Sequence, residues 1–206
     1  LKLPVIVFIL IMLILWPYPV CADNTLQRQY QFPPLLKTKV PTVSVSVKNI
    51  YPHDTGAFTQ GLFFHQGYLY ESTGLNGEST LSRKELTTGK CLQEVTIAKE
   101  YFGEGATLLK NKIYQLTWRS ETLLIYDAIS FRETGKMKYR GEGWGLTSDG
   151  RHLLMSDGYS TINYRDPGSF KVIRKIRVYD GEWYVSQLNE LEFIKGEIWA
   201  NVYRED

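Results

Sequence analysis

A chain of 206 residues that is 43% hydrophobic, 14% aromatic and 22% charged has the length and apolar content for one packed domain, which argues against long disordered or fibrous readings. Its 24 Lys plus Arg against 22 Asp plus Glu leave a net charge of +2, without the basic field that marks binding to nucleic acid or anionic lipid. With 14 Tyr, 9 Phe, 5 Trp and 17 Gly the composition favours strands and tight turns, so an all-β domain is expected.

Residues 1–22 carry one charge, Lys2, then an apolar run from Leu3 to Trp16, a Pro17-Tyr18-Pro19 break, and Val20-Cys21-Ala22 before Asp23. This is the n-region, h-region and small-residue pattern of a secretory signal, and it predicts a secreted or periplasmic protein. The competing reading is an uncleaved membrane anchor, but the run is shorter than the ~20 residues a spanning helix needs, and Pro17 and Pro19 weigh against it. Cys21 lacks the small residues before it that a lipoprotein box requires. Cleavage leaves Cys91 alone, so no intramolecular disulfide forms, and Cys91 is expected to be a buried small apolar side chain. Residues 23–44, with adjacent Pro33-Pro34, read as an extended arm. The chain starts with Leu rather than Met, and its last strand-like run ends almost at the terminus, so it reads as a fragment.

From residue 45 to 206 the chain repeats. Four segments share a strand, a tight turn and a second strand: Gln60 to Ser72, Glu104 to Trp118, Trp144 to Ser156 and Asn189 to Asn201. Their expected turns are Gln66-Gly67, Asn111-Lys112, Asp149-Gly150 and Lys195-Gly196. Behind the first three comes a second hairpin, with turns expected at Thr88-Gly89, Thr134-Gly135 and Pro167-Gly168. Two hairpins make a four-stranded unit, and a period of roughly 40–45 residues is that of a propeller blade. About four blades are expected in this chain.

Gln60, Glu104, Trp144 and Asn189 each sit just ahead of the first strand of their unit. In a propeller, equivalent strand ends surround one axis, so residues far apart in sequence converge on one mouth. Taken singly, Gln60, Glu104 and Asn189 are explained by turn chemistry and strand-end hydrogen bonding. Taken together, with Phe58 and Phe102 at matching places two residues earlier, they predict a polar centre inside an aromatic wall. Trp118 and Trp144 would line that wall or pack between blades. Glu71 and Asn201 would serve in the channel or satisfy strand ends. The Asp-Gly pairs at Asp149 and Asp157 are expected to be turns. His53, His65 and His152 lack metal-ligand spacing, so no zinc site or cofactor is expected.

Six ordered motifs over about residues 45 to 206 resemble the plant and bacterial glutaminyl cyclases, or glutamine cyclotransferases. They are Phe58-Thr-Gln-Gly-Leu62, Tyr70-Glu-Ser-Thr-Gly74, Phe102-Gly-Glu-Gly105 followed by Tyr114-Gln-Leu-Thr-Trp118, Gly143-Trp-Gly-Leu146, Leu188-Asn-Glu-Leu-Glu192 and Trp199-Ala-Asn-Val202. The resemblance implies a five-bladed propeller that converts an N-terminal glutamine of peptides or proteins into pyroglutamate with release of ammonia and without zinc, and a monomer when complete. It implies Glu104 as the acid/base, Gln60 and Asn189 as pocket carboxamides, and Phe58, Phe102, Trp118 and Trp144 as pocket aromatics. Tyr203 stands where the family has a further tryptophan, and the family's lysine belongs to a fifth blade beyond this chain.

The chemistry suits these residues. An α-amine that attacks its own side-chain amide must lose a proton, and the departing nitrogen must gain one, so a carboxyl brought towards neutral pKa by an apolar wall can shuttle both. Two rivals stand beside this reading. One is a non-catalytic propeller binding a peptide or protein at the same mouth. The other is a calcium-dependent lactonase-like propeller, which favours several carboxylates, whereas only one, Glu104, is expected at the mouth.

Overall fold

The computed structural model describes residues 5–7, 44 and 46–204. The expected leader and arm lie outside the described residues, except for a strand β1 (Val5–Val7) and residue 44. Every regular element described is a β-strand. Among the described residues no helix is long and apolar enough to cross a membrane.

Three four-stranded antiparallel sheets follow one another in order. The first holds β2 (Thr59–His65), β3 (Tyr68–Thr73), β4 (Thr80–Glu85) and β5 (Cys91–Thr96). The second holds β6 (Gly103–Leu109), β7 (Lys112–Thr117), β8 (Thr122–Asp127) and β9 (Glu133–Lys138). The third holds β10 (Leu146–Ser148), β11 (Leu153–Met155), β12 (Thr161–Arg165) and β13 (Val172–Arg177). A small hairpin, β14 (Tyr179–Asp180) and β15 (Trp183–Tyr184), leads to the fourth unit, β16 (Leu188–Ile194) with β17 (Glu197–Val202). In that unit β17 is flanked by β1, which runs parallel to it. The first strands β2, β6, β10 and β16 pack in sequence against one another, and the sheets stand around them as propeller blades.

Side chains on successive strand positions point to opposite faces, and on β7 and β8 both faces are covered. On β8, Leu123 and Ile125 join the core shared with the third blade, with Leu146, Leu153, Met155 and Phe170. Leu124 and Tyr126 join the core shared with the first blade, with Phe63, Tyr70, Leu81 and Ile113. That two-sided burial is why the sequence runs apolar from Leu123 to Tyr126 instead of alternating. A third core, built on Leu154, Ile162, Tyr164, Leu188 and Ile198, seals the third blade to the fourth.

Gln66 and Gly67 both take positive φ (48° and 86°), as do Lys195 and Gly196 (51° and 88°), the conformation a two-residue hairpin turn demands. Two expected turns move. The turn between β6 and β7 is Lys110-Asn111, one residue earlier than expected. Thr134-Gly135 is not a turn, since Gly135 lies inside β9 opposite Ile125. The chain reverses instead at Asp127-Ala-Ile-Ser130, where Asp127 Oδ1 accepts from the amides of Ile129 and Ser130 and from the Ser130 hydroxyl. Asp166-Pro-Gly-Ser169 does the same in the third blade. Each loop is followed by a phenylalanine held at positive φ, Phe131 (57°) and Phe170 (56°), whose ring is buried between blades.

Cys91 is corrected as well. It opens β5, the outermost strand of its blade, and is exposed rather than buried. The half-buried face of β5 carries Gln93 and Val95, and a slip in register between Arg83 and Lys84 breaks it before Cys91, which is left exposed.

Candidate active site

The pairing register slips between Thr59 and Gly61, between Gly103 and Ala106, and between Leu188 and Leu191. Gln60, Glu104 and Asn189 therefore each fall within a β-bulge at the start of an inner strand. A bulge leaves its extra residue out of the ladder and re-aims its side chain. The glycines that follow two of the site residues permit the close approach this needs. A Cβ at Gly61 would stand 2.6 Å from the Ala106 amide nitrogen, and one at Gly105 would stand 2.5 Å from that of Leu146. Gly105 N donates to Trp144 O at 2.7 Å, joining the second blade to the third.

The resulting cavity of about 280 Å³ is lined by Phe58, Gln60, Phe102, Glu104, Trp118, Trp144, Asn189 and Tyr203. That volume is at the small end of the ~300–1,000 Å³ typical of small-molecule sites. All eight residues singled out from the sequence thus meet in one space. Phe102 stands edge-on to Phe58 at 6.0 Å and tilted against Trp118 at 5.6 Å. Trp144 meets Tyr203 at 5.6 Å and 85°, so the tyrosine completes an edge-to-face pair. Trp144 also covers Gly158, where a Cβ would strike the indole at 2.8 Å.

Glu104 is 4% exposed and accepts a hydrogen bond from Gln60 Nε2 at 3.0 Å on Oε2. Burial among the aromatic rings holds its carboxyl well above the ordinary glutamate range, against the opposing pull of the Gln60 amide, and the nearby charge of Glu142 adds to the rise. Its backbone is fixed from outside the cavity. Tyr126 OH donates to Gln115 Oε1 at 3.0 Å, Gln115 Nε2 donates to Ser72 Oγ at 2.8 Å, and Ser72 Oγ donates to the Glu104 carbonyl. Asn189 is held in the same manner, its carbonyl accepting from Ser156 Oγ at 2.6 Å while Ser156 Oγ accepts from Gly145 N.

Two residues expected near the channel or at strand ends satisfy other groups. Glu71 is buried in a cluster with Lys84, Thr59 and His53 and does not line the cavity. Asn201 Oδ1 accepts the amide of Glu190, at 2.8 Å, where the β16 bulge leaves it free. Asp149 caps its turn by accepting from the amides of Arg151 and His152.

As expected, Glu104 is the one carboxylate among the residues lining the cavity, but other carboxyls stand behind its wall. Glu142 accepts from the indole nitrogens of both Trp118 and Trp144 behind the cavity wall. Burial raises its carboxyl, but the Trp144, Trp118 and Arg119 donors outweigh this and hold it below the ordinary range. Its sequence signal was present: Glu142 stands two residues before Trp144, the repeat position that holds Phe58 and Phe102 in the first two blades. Two further carboxyls lie on β16. Glu190 Oε1 accepts from Leu62 N at 3.4 Å and is raised chiefly by burial, and burial brings Glu192 to about 7. Nothing in the strand pattern distinguishes these two from solvent-facing residues. Among the described residues, no group of three or more His, Cys, Asp or Glu side chains is arranged to hold a metal ion.

The family model described as Glutamine cyclotransferase matches residues 18–206. A glutaminyl-peptide cyclotransferase of Arabidopsis thaliana is 43% identical over 159 residues, 76% of this chain and 49% of that protein. The chain therefore spans about half the length of this curated relative. Among solved structures, the glutaminyl cyclase of Myxococcus xanthus superposes with a TM-score of 0.70 at 34% identity, over 75% of this chain and 66% of that one. The WD40 domain of Neurospora crassa Pan2 superposes with a TM-score of 0.54 at 10% identity, over 72% of this chain and 44% of that one, a likeness of fold alone.

Proposed function

The chain belongs to the glutamine cyclotransferase family, and on that premise we propose that the whole protein closes the N-terminal glutamine of peptides or proteins into pyroglutamate. Ammonia leaves, and no cofactor takes part. The observation that carries this reading is one buried carboxyl, Glu104, raised in pKa inside an aromatic cavity and hydrogen-bonded by a carboxamide.

The substrate supplies both reacting groups. Its α-amine nitrogen attacks its own side-chain amide carbon, a C–N bond forms, and Glu104 takes the proton that the amine gives up. Glu104 then returns the proton to the side-chain nitrogen, the old C–N bond breaks, and ammonia departs. A carboxyl with a pKa lifted towards the working pH both accepts and returns a proton efficiently. Curling the substrate side chain into a ring-like conformer against Phe58, Phe102, Trp118 and Trp144 brings nucleophile and electrophile together, which supplies much of the acceleration. The side-chain N–H groups of Gln60 and Asn189 meet the oxygen that gains charge or hold the substrate backbone. The leader-like pattern of residues 1–22 supports export of this enzyme, and we read the whole protein as a monomer.

The test is incubation of the whole protein with a glutaminyl peptide, with and without chelator. One ammonia per peptide and a pyroglutamyl product, equal in both conditions, is the expected result. Unchanged peptide would defeat the reading, and activity lost to chelator would transfer it to a metal-dependent reaction.

A further inference from the structure

Two cavity indoles share one acceptor. Trp118 Nε1 donates to Glu142 Oε2 at 2.8 Å, and Trp144 Nε1 donates to the same oxygen at 3.0 Å. The other oxygen, Oε1, accepts Arg119 Nε at 2.9 Å. The Arg119 guanidinium in turn lies over the Trp118 ring, 3.8 Å from its centroid. Glu142 does not itself line the cavity. It comes from the connection between the second and third blades, and it ties Trp118, just past β7, to Trp144, just ahead of β10.

The aromatic ring torsion of a tryptophan is broad, so an indole with no bonded N–H settles into whatever orientation its neighbours leave open. A hydrogen bond to a charged acceptor is among the stronger restraints available. Here both N–H groups are turned outward to one carboxylate, which leaves the carbon edges and faces of the rings towards the cavity.

We propose that Glu142 is a positioning residue of this cavity: its carboxylate holds both indole N–H groups outward, fixing the width of the aromatic slot and leaving polar recognition of the substrate to Gln60, Glu104, Asn189 and Tyr203. Arg119 completes the device by pairing with the free oxygen of Glu142 and stacking on Trp118. The role assigned to the slot rests on the cyclisation reading of the cavity, whereas the clamp itself is a statement about the two indoles.

The test compares the whole protein with Glu142→Leu, which removes the acceptor, and Glu142→Gln, which keeps an acceptor oxygen and removes the charge. Indole mobility is read without substrate, by acrylamide quenching of tryptophan fluorescence in a Trp183→Phe background, because Trp183 is 81% exposed and would dominate the signal. Glu142→Leu is expected to raise the quenching constant about twofold and KM about tenfold, a loss in keeping with hydrogen bonds to a charged group. Its kcat should fall less than KM rises, with the melting temperature near that of wild type. Glu142→Gln is expected to recover most of both losses. Wild-type quenching and KM in Glu142→Leu would overturn the proposal, as would a fall in melting temperature with KM unchanged or a Gln variant as impaired as the Leu variant. If the wild type releases no ammonia, the proposed reaction fails, and the quenching series still judges the clamp.

Discussion

Gln60 Nε2 donates to Glu104 Oε2 across 3.0 Å, so bulges on the first and second blades meet in one hydrogen bond at the centre of the cavity. Burial favours the protonated form of Glu104, while this amide favours the ionised one. The charge balance therefore answers to either neighbour.

Two substitutions are expected to move the pH profile in opposite directions. The side chains that act on Glu104 are Gln60 and Glu142, while Glu104 itself adds to the rise of Glu190 and Tyr139, both raised chiefly by burial. Gln60→Leu removes a donor that stabilises the carboxylate, so the Glu104 pKa rises further and the acidic limb of kcat/KM moves to higher pH. Glu142→Gln removes a like charge, so the pKa falls and the limb moves to lower pH. Rate profiles of both variants check this, and limbs shifted the same way would contradict the assignment.

Trp144 belongs to the cavity wall, where it pairs edge to face with Tyr203 and covers Gly158. Trp144→Leu should raise KM or lower kcat by a larger factor than its effect on melting temperature suggests. Steady-state kinetics and thermal unfolding of the same preparation measure both. A large loss of stability with unchanged kinetics would make the ring a packing element only.

Gly105→Ala should fail for reasons of space. The added methyl would stand 2.5 Å from Leu146 N and 2.6 Å from Trp144 O, both backbone atoms of the next blade. Overpacking of this sort costs about 1–3 kcal/mol or more. Urea unfolding should register that loss together with reduced turnover, because the bulge that presents Glu104 shifts with it. A variant as stable as wild type would show that the inner strands separate easily.

Glu71 and Lys84 form a buried ion pair, with Thr59 and His53 also donating to the carboxylate. Burial alone would raise Glu71, but the Lys84, Thr59 and His53 hydrogen bonds and the Lys84 charge outweigh it, and the net direction is down. A depressed carboxyl contributes stability that is fully present above its unfolded value of about 4.5 and is lost as pH falls through the lower folded value. Lys84→Met leaves the buried Glu71 charge with only the Thr59 and His53 donors, at a cost of up to about 3–5 kcal/mol near neutral pH. Urea unfolding should show this penalty shrinking in acid, where Glu71 takes a proton. A constant penalty across pH would remove Glu71 from the account.

The repeat makes much of this site legible in the sequence. Gln60, Glu104, Trp144 and Asn189 stand at one repeat position, and blade symmetry turns that into one mouth. What aims three of them inward is a slip in strand register, which side-chain identities do not reveal. Gly135 suggests a turn by composition, yet the Asp127 carboxylate and Ser130 place the reversal earlier. Cys91 depends on which strand lies outermost, a property of the assembled blade and not of its local sequence. Glu142 was within reach of the repeat alignment, as the one carboxylate at a position otherwise aromatic in the first two blades.

The central claim is that Glu104 moves the proton, and the most direct measurement is ammonia release from a glutaminyl peptide by the whole protein and its Glu104→Gln variant. The substitution keeps size and hydrogen-bonding capacity but cannot exchange a proton. Turnover is expected to fall by about 10²–10⁴, the usual worth of general acid–base catalysis, with the melting temperature preserved and KM little changed. Turnover within a few-fold of wild type would contradict the mechanism.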